Sequence, residues 1–139
     1  RDYVVLGQPE TGVAYLNLYG LAHCGPKGSI LDGAPIDRIP VSTKLISYSA
    51  AEAFLLKAKG DSMEPRIFDG DLLLCRRQRS ALDGELAVCV NHGEALIKKV
   101  KKGSRPILIS LNSKYDPFVV AEDFRVEGVV RAIISRATL

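Results

Sequence analysis

Apolar and polar positions alternate along this chain in short blocks. The blocks Ala14–Tyr19, Phe54–Lys59, Asp71–Arg76, Glu85–Val90, Ala95–Lys101, Ile107–Leu111 and Arg125–Ser135 are rich in leucine, isoleucine and valine and are set off by glycine, proline and polar residues. That is the punctuation of strands rather than of helices. The pattern predicts a mainly β fold. Asn91-His92-Gly93 marks a hairpin between two of the blocks, and the one helical signal is a turn around Met63 to Ile67. Residues 20 to 50 break the rhythm: glycine, proline and alternating small and apolar residues predict an extended arm with a turn. The chain therefore divides into an N-terminal arm, residues 1–48, and a packed domain, residues 49–139.

Composition narrows this picture. A chain of 139 residues, 47% hydrophobic and 25% charged, suits one globular domain that hides roughly two thirds of its unfolded surface. The net charge of +3 is too small to mark a nucleic-acid face, and no aromatic residue interleaves the basic clusters Arg76, Arg77, Arg79 and Lys98, Lys99, Lys101, Lys102. These residues are not expected to be a DNA reader, and a start at Arg1 rather than Met suggests an excised fragment or processed chain whose N-terminal partner is missing. Cys24, Cys75 and Cys89 have no metal-ligand spacing, and their odd number fits reduced thiols in a cytoplasmic protein. No metal and no cofactor are expected. The apolar runs fall far short of the roughly 20 residues a membrane span requires, so no membrane contact is expected either.

The densest chemical motif is Lys59-Gly60-Asp61-Ser62-Met63-Glu64-Pro65, followed by Phe68-Asp69-Gly70-Asp71. A serine between Gly-Asp and a turn can expose its hydroxyl at a strand end, close to backbone N–H groups that could face an oxyanion. The structural alternative is that Ser62 only caps a short helix. A serine nucleophile needs a base. The two histidines, His23 in the arm and His92 in the hairpin, are poorly placed for a triad. A desolvated lysine is the alternative base. In Ala95–Lys101, Leu96, Lys98 and Val100 share one face and Ile97, Lys99 and Lys101 the other, which favours Lys98. Because Ile97 sits on the Lys99 face, periodicity leaves that choice open, and a lysine that only snorkels from a strand edge stays the plain reading.

Gly60-Asp61-Ser62-Met63, Asp69-Gly70-Asp71-Leu72-Leu73, Gly84-Glu85-Leu86, Ile97-Lys98-Lys99-Val100, Leu111-Asn112-Ser113-Lys114-Tyr115-Asp116-Pro117 and Val126-Glu127-Gly128-Val129-Val130, in that order, resemble the self-cleaving serine/lysine peptidase domain of LexA, UmuD and CI-type phage repressors. The resemblance implies a LexA/signal-peptidase-like β fold of twisted antiparallel sheets with little helix. It also implies Ser62 as nucleophile, Lys98 as general base, and the backbone amides of Asp61 and Ser62 as oxyanion donors. Type I signal peptidases share the Ser-Met-x-Pro signature, but this chain shows no membrane anchor.

The stretch Ala22-His23-Cys24-Gly25-Pro26 resembles the family's cleavage site, which places the scissile bond between Cys24 and Gly25. Pro26 departs from the pattern, since it removes a backbone donor and stiffens the chain just after the cut. The resemblance further implies a homodimer, the RecA nucleoprotein filament as co-protease, and inactivation of a transcriptional repressor in a DNA-damage response. A UmuD-like polymerase accessory protein and an idle dimerisation module are the rival readings.

Overall fold

The computed structural model describes residues 12–21 and 28–134. Nine strands are formed among these residues: β1 (Val13–Gly20), β2 (Asp37–Ser42), β3 (Ala53–Lys57), β4 (Leu72–Arg77), β5 (Leu86–Asn91), β6 (Glu94–Lys101), β7 (Ile107–Ile109), β8 (Phe118–Val119) and β9 (Arg125–Ile134). They join one sheet in the order β2-β1-β3-β4-β9-β5-β6-β7-β8. The mainly β expectation holds. The sheet is mixed rather than wholly antiparallel, because Leu18–Gly20 of β1 pairs in parallel with Leu55–Lys57 of β3. Two short 3₁₀ turns, Thr43–Leu45 and Ala50–Glu52, carry the chain across. Ser42 and Ser49 cap them, each side-chain oxygen accepting a backbone N–H two residues on, as expected of serine before a helical turn.

The stretch assigned to the arm contributes β1 and β2, and Leu16, Leu18, Tyr19, Ile30 and Val41 within it are buried. Strand β2 escaped the pattern because Pro40 interrupts it. A proline cannot donate to a ladder and is tolerated at a sheet edge, and among the described residues β2 is one of the two edge strands, paired with β1.

Successive residues of the central strands face opposite sides, and both sides are covered. In β3, Phe54 and Leu56 join a cluster with Tyr19, Met63, Ile67 and Ile97, while Leu55 packs with Leu16, Leu18 and Leu74 on the other face. Near-continuous apolar runs such as Leu72–Cys75 follow from burial on two faces. The predicted hairpin has His92-Gly93 as its two-residue turn, with φ of 52° and 72°, the two positive values a type I′ turn needs. Asp123 fastens it by accepting the His92 and Gly93 N–H groups, each at 2.7 Å.

Strand β9 ties the halves of the sheet together, pairing with β4 along one edge and β5 along the other. Its first residues also hold the segment that begins at Gly28. Arg125 donates to the Gly28 carbonyl, and Glu127 accepts from the Ser29 hydroxyl and from the Ile30 N–H at 3.0 Å.

Candidate active site

Ser62 lies in the loop between β3 and β4, and the Asp-Gly-Asp motif shapes that loop. Asp69 accepts the Gly60 N–H at 2.8 Å, Asp71 accepts the Phe68 N–H at 2.9 Å, and Gly70 donates to the Ala58 carbonyl at 2.9 Å. The carboxylates of this motif therefore serve the backbone. The turn predicted at Met63 to Ile67 is closed by bonds from the Arg66 and Ile67 N–H groups to the Met63 carbonyl, at 3.1 and 3.0 Å. Met63 and Ile67 enter the core with 4% and 2% exposure. Their burial anchors the turn that follows Ser62.

Lys98 comes from β6, opposite Ala87 of β5. Its Nζ lies 2.8 Å from the Ser62 Oγ, although the two residues are 36 positions apart. Lys98 is only 8% exposed. Burial lowers its pKa from the ordinary lysine value. Loss of hydration disfavours the ammonium and favours the neutral amine, the form that can accept a proton. Lys99, on the alternate face, stands between Leu86 and Ile109 in the ladders. Cys89 is itself buried, and its thiol is pushed up to about 12, so it stays protonated beside Lys98.

A cleft of about 130 Å³ opens beside the pair, lined by Leu21, Ala58, Met63, Ile67, Leu96 and Ile97. Lys59 and the Ser62–Lys98 pair itself also line it, and its size suits a small side chain next to the serine. Leu21 is the last described residue before the segment 22–27. His23, Cys24 and Gly25 lie outside the described residues. His92 sits in the hairpin turn, where its backbone N–H donates to Asp123.

A third element reaches the site that the motif reading left without a role. The loop after β7 brings Asn112, Lys114 and Tyr115 onto Asp61 and Ser62. The Asn112 N–H donates to the Ser62 carbonyl at 2.9 Å and its side-chain amide to the Asp61 carbonyl at 3.0 Å. The Asp61 carboxylate accepts from the Tyr115 hydroxyl and pairs with Lys114 at 2.6 Å. The Lys114 ammonium, and then the Tyr115 hydroxyl, hold the Asp61 carboxyl below its usual range. The only signal in the sequence was the block Leu111–Pro117, which has no periodicity pointing to Asp61.

Comparison with known proteins places this geometry in context. A family model described as Peptidase S24-like matches residues 17–131. LexA repressor 2 of Pseudomonas syringae pv. tomato is 34% identical over 118 residues, covering 78% of this chain and 58% of that protein. The LexA repressor of Carboxydothermus hydrogenoformans is 36% identical over 93 residues, covering 64% and 46%. That of Streptomyces coelicolor is 35% identical over 118 residues, covering 78% and 49%. The chain thus spans about half the length of the curated relatives it matches. With a family model covering most of its length and a buried lysine against a loop serine, the chain belongs to the S24-like peptidase family, in a LexA/UmuD-type peptidase domain.

Proposed function

We propose that this chain is the self-cleaving, dimerising C-terminal domain of a LexA-like transcriptional repressor, and that it hydrolyses its own Cys24–Gly25 bond. The observation that carries the reading is the 2.8 Å contact between the Lys98 Nζ and the Ser62 Oγ at a lysine whose ammonium is disfavoured by burial.

The chemistry follows from that contact. Neutral Lys98 takes the Ser62 hydroxyl proton as the Oγ attacks the Cys24 carbonyl carbon. The carbonyl electrons move to oxygen, where the backbone N–H groups of Asp61 and Ser62 face the developing charge. Collapse of the adduct breaks the C–N bond, and Lys98 passes its proton to the Gly25 nitrogen. Lys98 then deprotonates a water that attacks the ester, and the returning proton restores Ser62. The products are a new carboxylate on Cys24 and a new amine on Gly25.

Enzyme and substrate are one chain, so the rate depends on how often the segment carrying Cys24 occupies the cleft. A partner that favours the occupied state accelerates the cut. The RecA filament is the proposed partner. DNA contact belongs to an N-terminal domain joined through this segment, and a homodimer presents two such domains to two half-sites. Cutting the link removes that bivalency. Intact-mass analysis of the chain, incubated at alkaline pH and separately with activated RecA, tests the reading. A cut between Cys24 and Gly25 that is lost in Ser62→Ala and Lys98→Ala supports it, and a cut that persists in either variant refutes it.

A further inference from the structure

We propose that Asn112 is a positioning residue for self-cleavage, acting as a two-point clamp that aims the Ser62 N–H into the reaction site, with Lys114 and Tyr115 locking the clamp from outside. The proposal rests on the serine/lysine reading above and adds residues which that reading does not use.

In a planar trans peptide the C=O and the N–H point in opposite directions. The Asp61 carbonyl accepts from the Asn112 side-chain amide at 3.0 Å and, within the turn, from the Glu64 N–H at 3.2 Å, so the Ser62 N–H of the same peptide must face away from Asn112. The next carbonyl, that of Ser62, is held by the Asn112 N–H at 2.9 Å. Two successive carbonyls are thus tied to one residue, and the peptide ahead of the nucleophile cannot rotate without breaking a bond.

The side-chain amide of Asn112 has a single workable orientation. Its Oδ1 accepts the Lys114 N–H at 3.2 Å, which leaves the Nδ2 facing Asp61. An asparagine presents both an acceptor and donors in one plane, and here both ends are used. The lock acts on the Asp61 side chain, whose carboxylate takes the Tyr115 hydroxyl and the Lys114 ammonium. The same ammonium stands 5.3 Å from the centre of the Tyr115 ring. Asp61 is therefore fixed through its backbone and its side chain by one short loop, while Lys98 approaches Ser62 from β6. Among the described residues no hydrogen bond or ion pair joins Asn112, Lys114 or Tyr115 to Lys98, which bonds Ser62 instead. This separation makes the clamp testable.

The test is the pH–rate profile of self-cleavage, read by intact mass on the full chain, for wild type, Asn112→Ala, Asn112→Asp and the double variant Lys114→Met/Tyr115→Phe. Removing an oxyanion donor outright costs about 10²- to 10³-fold. Misaiming one should lower the alkaline plateau by about 10- to 100-fold, without moving the pH midpoint that reports Lys98. Asn112→Asp is the same size but turns a carboxylate oxygen toward the Asp61 carbonyl, so it should be at least as slow as Asn112→Ala. The double variant alters exposed side chains, Tyr115 at 41% and Lys114 at 61% exposure. It should stay folded and show a smaller fall in plateau, so it decides the matter if the Asn112 variants unfold. A wild type that cuts, beside folded Asn112→Asp or double variants with an unchanged plateau, overturns the clamp alone. A midpoint that shifts at constant plateau also overturns it, because Asn112 would then act on Lys98. A wild type that does not cut, or Ser62→Ala that does, overturns the serine/lysine reading and the clamp with it.

Discussion

Placing one methyl group on Gly128 tests how tightly the sheet is closed at the strand that joins its halves. Gly128 lies in β9 opposite Arg77 of β4 and Val88 of β5. A Cβ built there would stand 2.8 Å from the Arg76 carbonyl oxygen and 2.8 and 2.9 Å from two atoms of the Phe54 ring. Ordinary contact begins near 3.4 Å, so the neighbours must retreat by 3.4 − 2.8 = 0.6 Å. Neither can do so freely, since one is backbone in a ladder and the other is a ring with 1% exposure. Overpacking of this kind costs about 1–3 kcal/mol, and the immobility of both neighbours puts it at the upper end. Alanine recovers about 0.5–1 kcal/mol through the smaller backbone entropy of the unfolded chain. Overpacking wins, with a net loss of about 2–2.5 kcal/mol. For a chain of this size that lowers the thermal midpoint by roughly 6–12 °C. The assay is thermal unfolding of Gly128→Ala followed by circular dichroism. Adding Phe54→Leu should recover part of the loss, because it removes one of the two obstacles. Self-cleavage should slow as well, since β9 sets the spacing between β4, which closes the Ser62 loop, and β5, which carries the Lys98 strand. An unchanged or raised midpoint for Gly128→Ala would refute the packing argument.

Three further outcomes follow from buried or hydrogen-bonded groups. At a pH below its lowered pKa Lys98 is charged in both states and folding bears the full desolvation cost, so Lys98→Met should stabilise the fold there. Between that pKa and the ordinary lysine value the unfolded chain binds the extra proton, so wild-type stability rises with pH and the gap to the variant narrows; parallel denaturation curves across this window would contradict the assignment. Asp123, whose carboxyl is lowered by the His92 and then the Gly93 N–H, contributes stability above the ordinary carboxylate pKa that is lost as pH falls through its folded value. Asp123→Asn should therefore be the less stable chain at neutral pH and match wild type in acid, as measured by urea unfolding. Cys75 and Cys89 have 0% exposure and thiols raised by burial. They should react with a thiol reagent only in step with global unfolding, and rapid labelling of either in the native state would show that the core opens locally.

How much of this was legible in the sequence differs between elements. Ser62 stands out locally through its Gly-Asp-Ser turn, whereas alternation with Leu96 and Val100 only favours Lys98 over Lys99, and the family resemblance is what separates the two. The hairpin at His92-Gly93 was equally local. Strand β2 was hidden by Pro40, and β8 has only two residues, both exposed, so it carries no apolar alternation. The position of β9 between β4 and β5 depends on pairings between distant segments, which periodicity does not encode. The same holds for Asn112, which meets Asp61 across 51 positions. Its neighbours Lys114 and Tyr115 look like ordinary surface residues until the fold delivers them to one carboxylate. The Asp69-Gly70-Asp71 motif shows the converse. Its acidic residues suggest chemistry, yet both side chains are used to hold loop N–H groups.

The central claim is that a buried, neutral Lys98 activates Ser62, and the pH dependence of wild-type self-cleavage tests it most directly. The rate should climb tenfold per pH unit at low pH and level off at a midpoint below that of lysine in water, in keeping with the direction of the Lys98 shift. Lys98→Ala should lose this profile and fall in rate by about 10²- to 10⁴-fold, the usual worth of a positioned general base. A wild-type rate that is flat across the range, or a Lys98→Ala chain that keeps the same profile, would contradict the account.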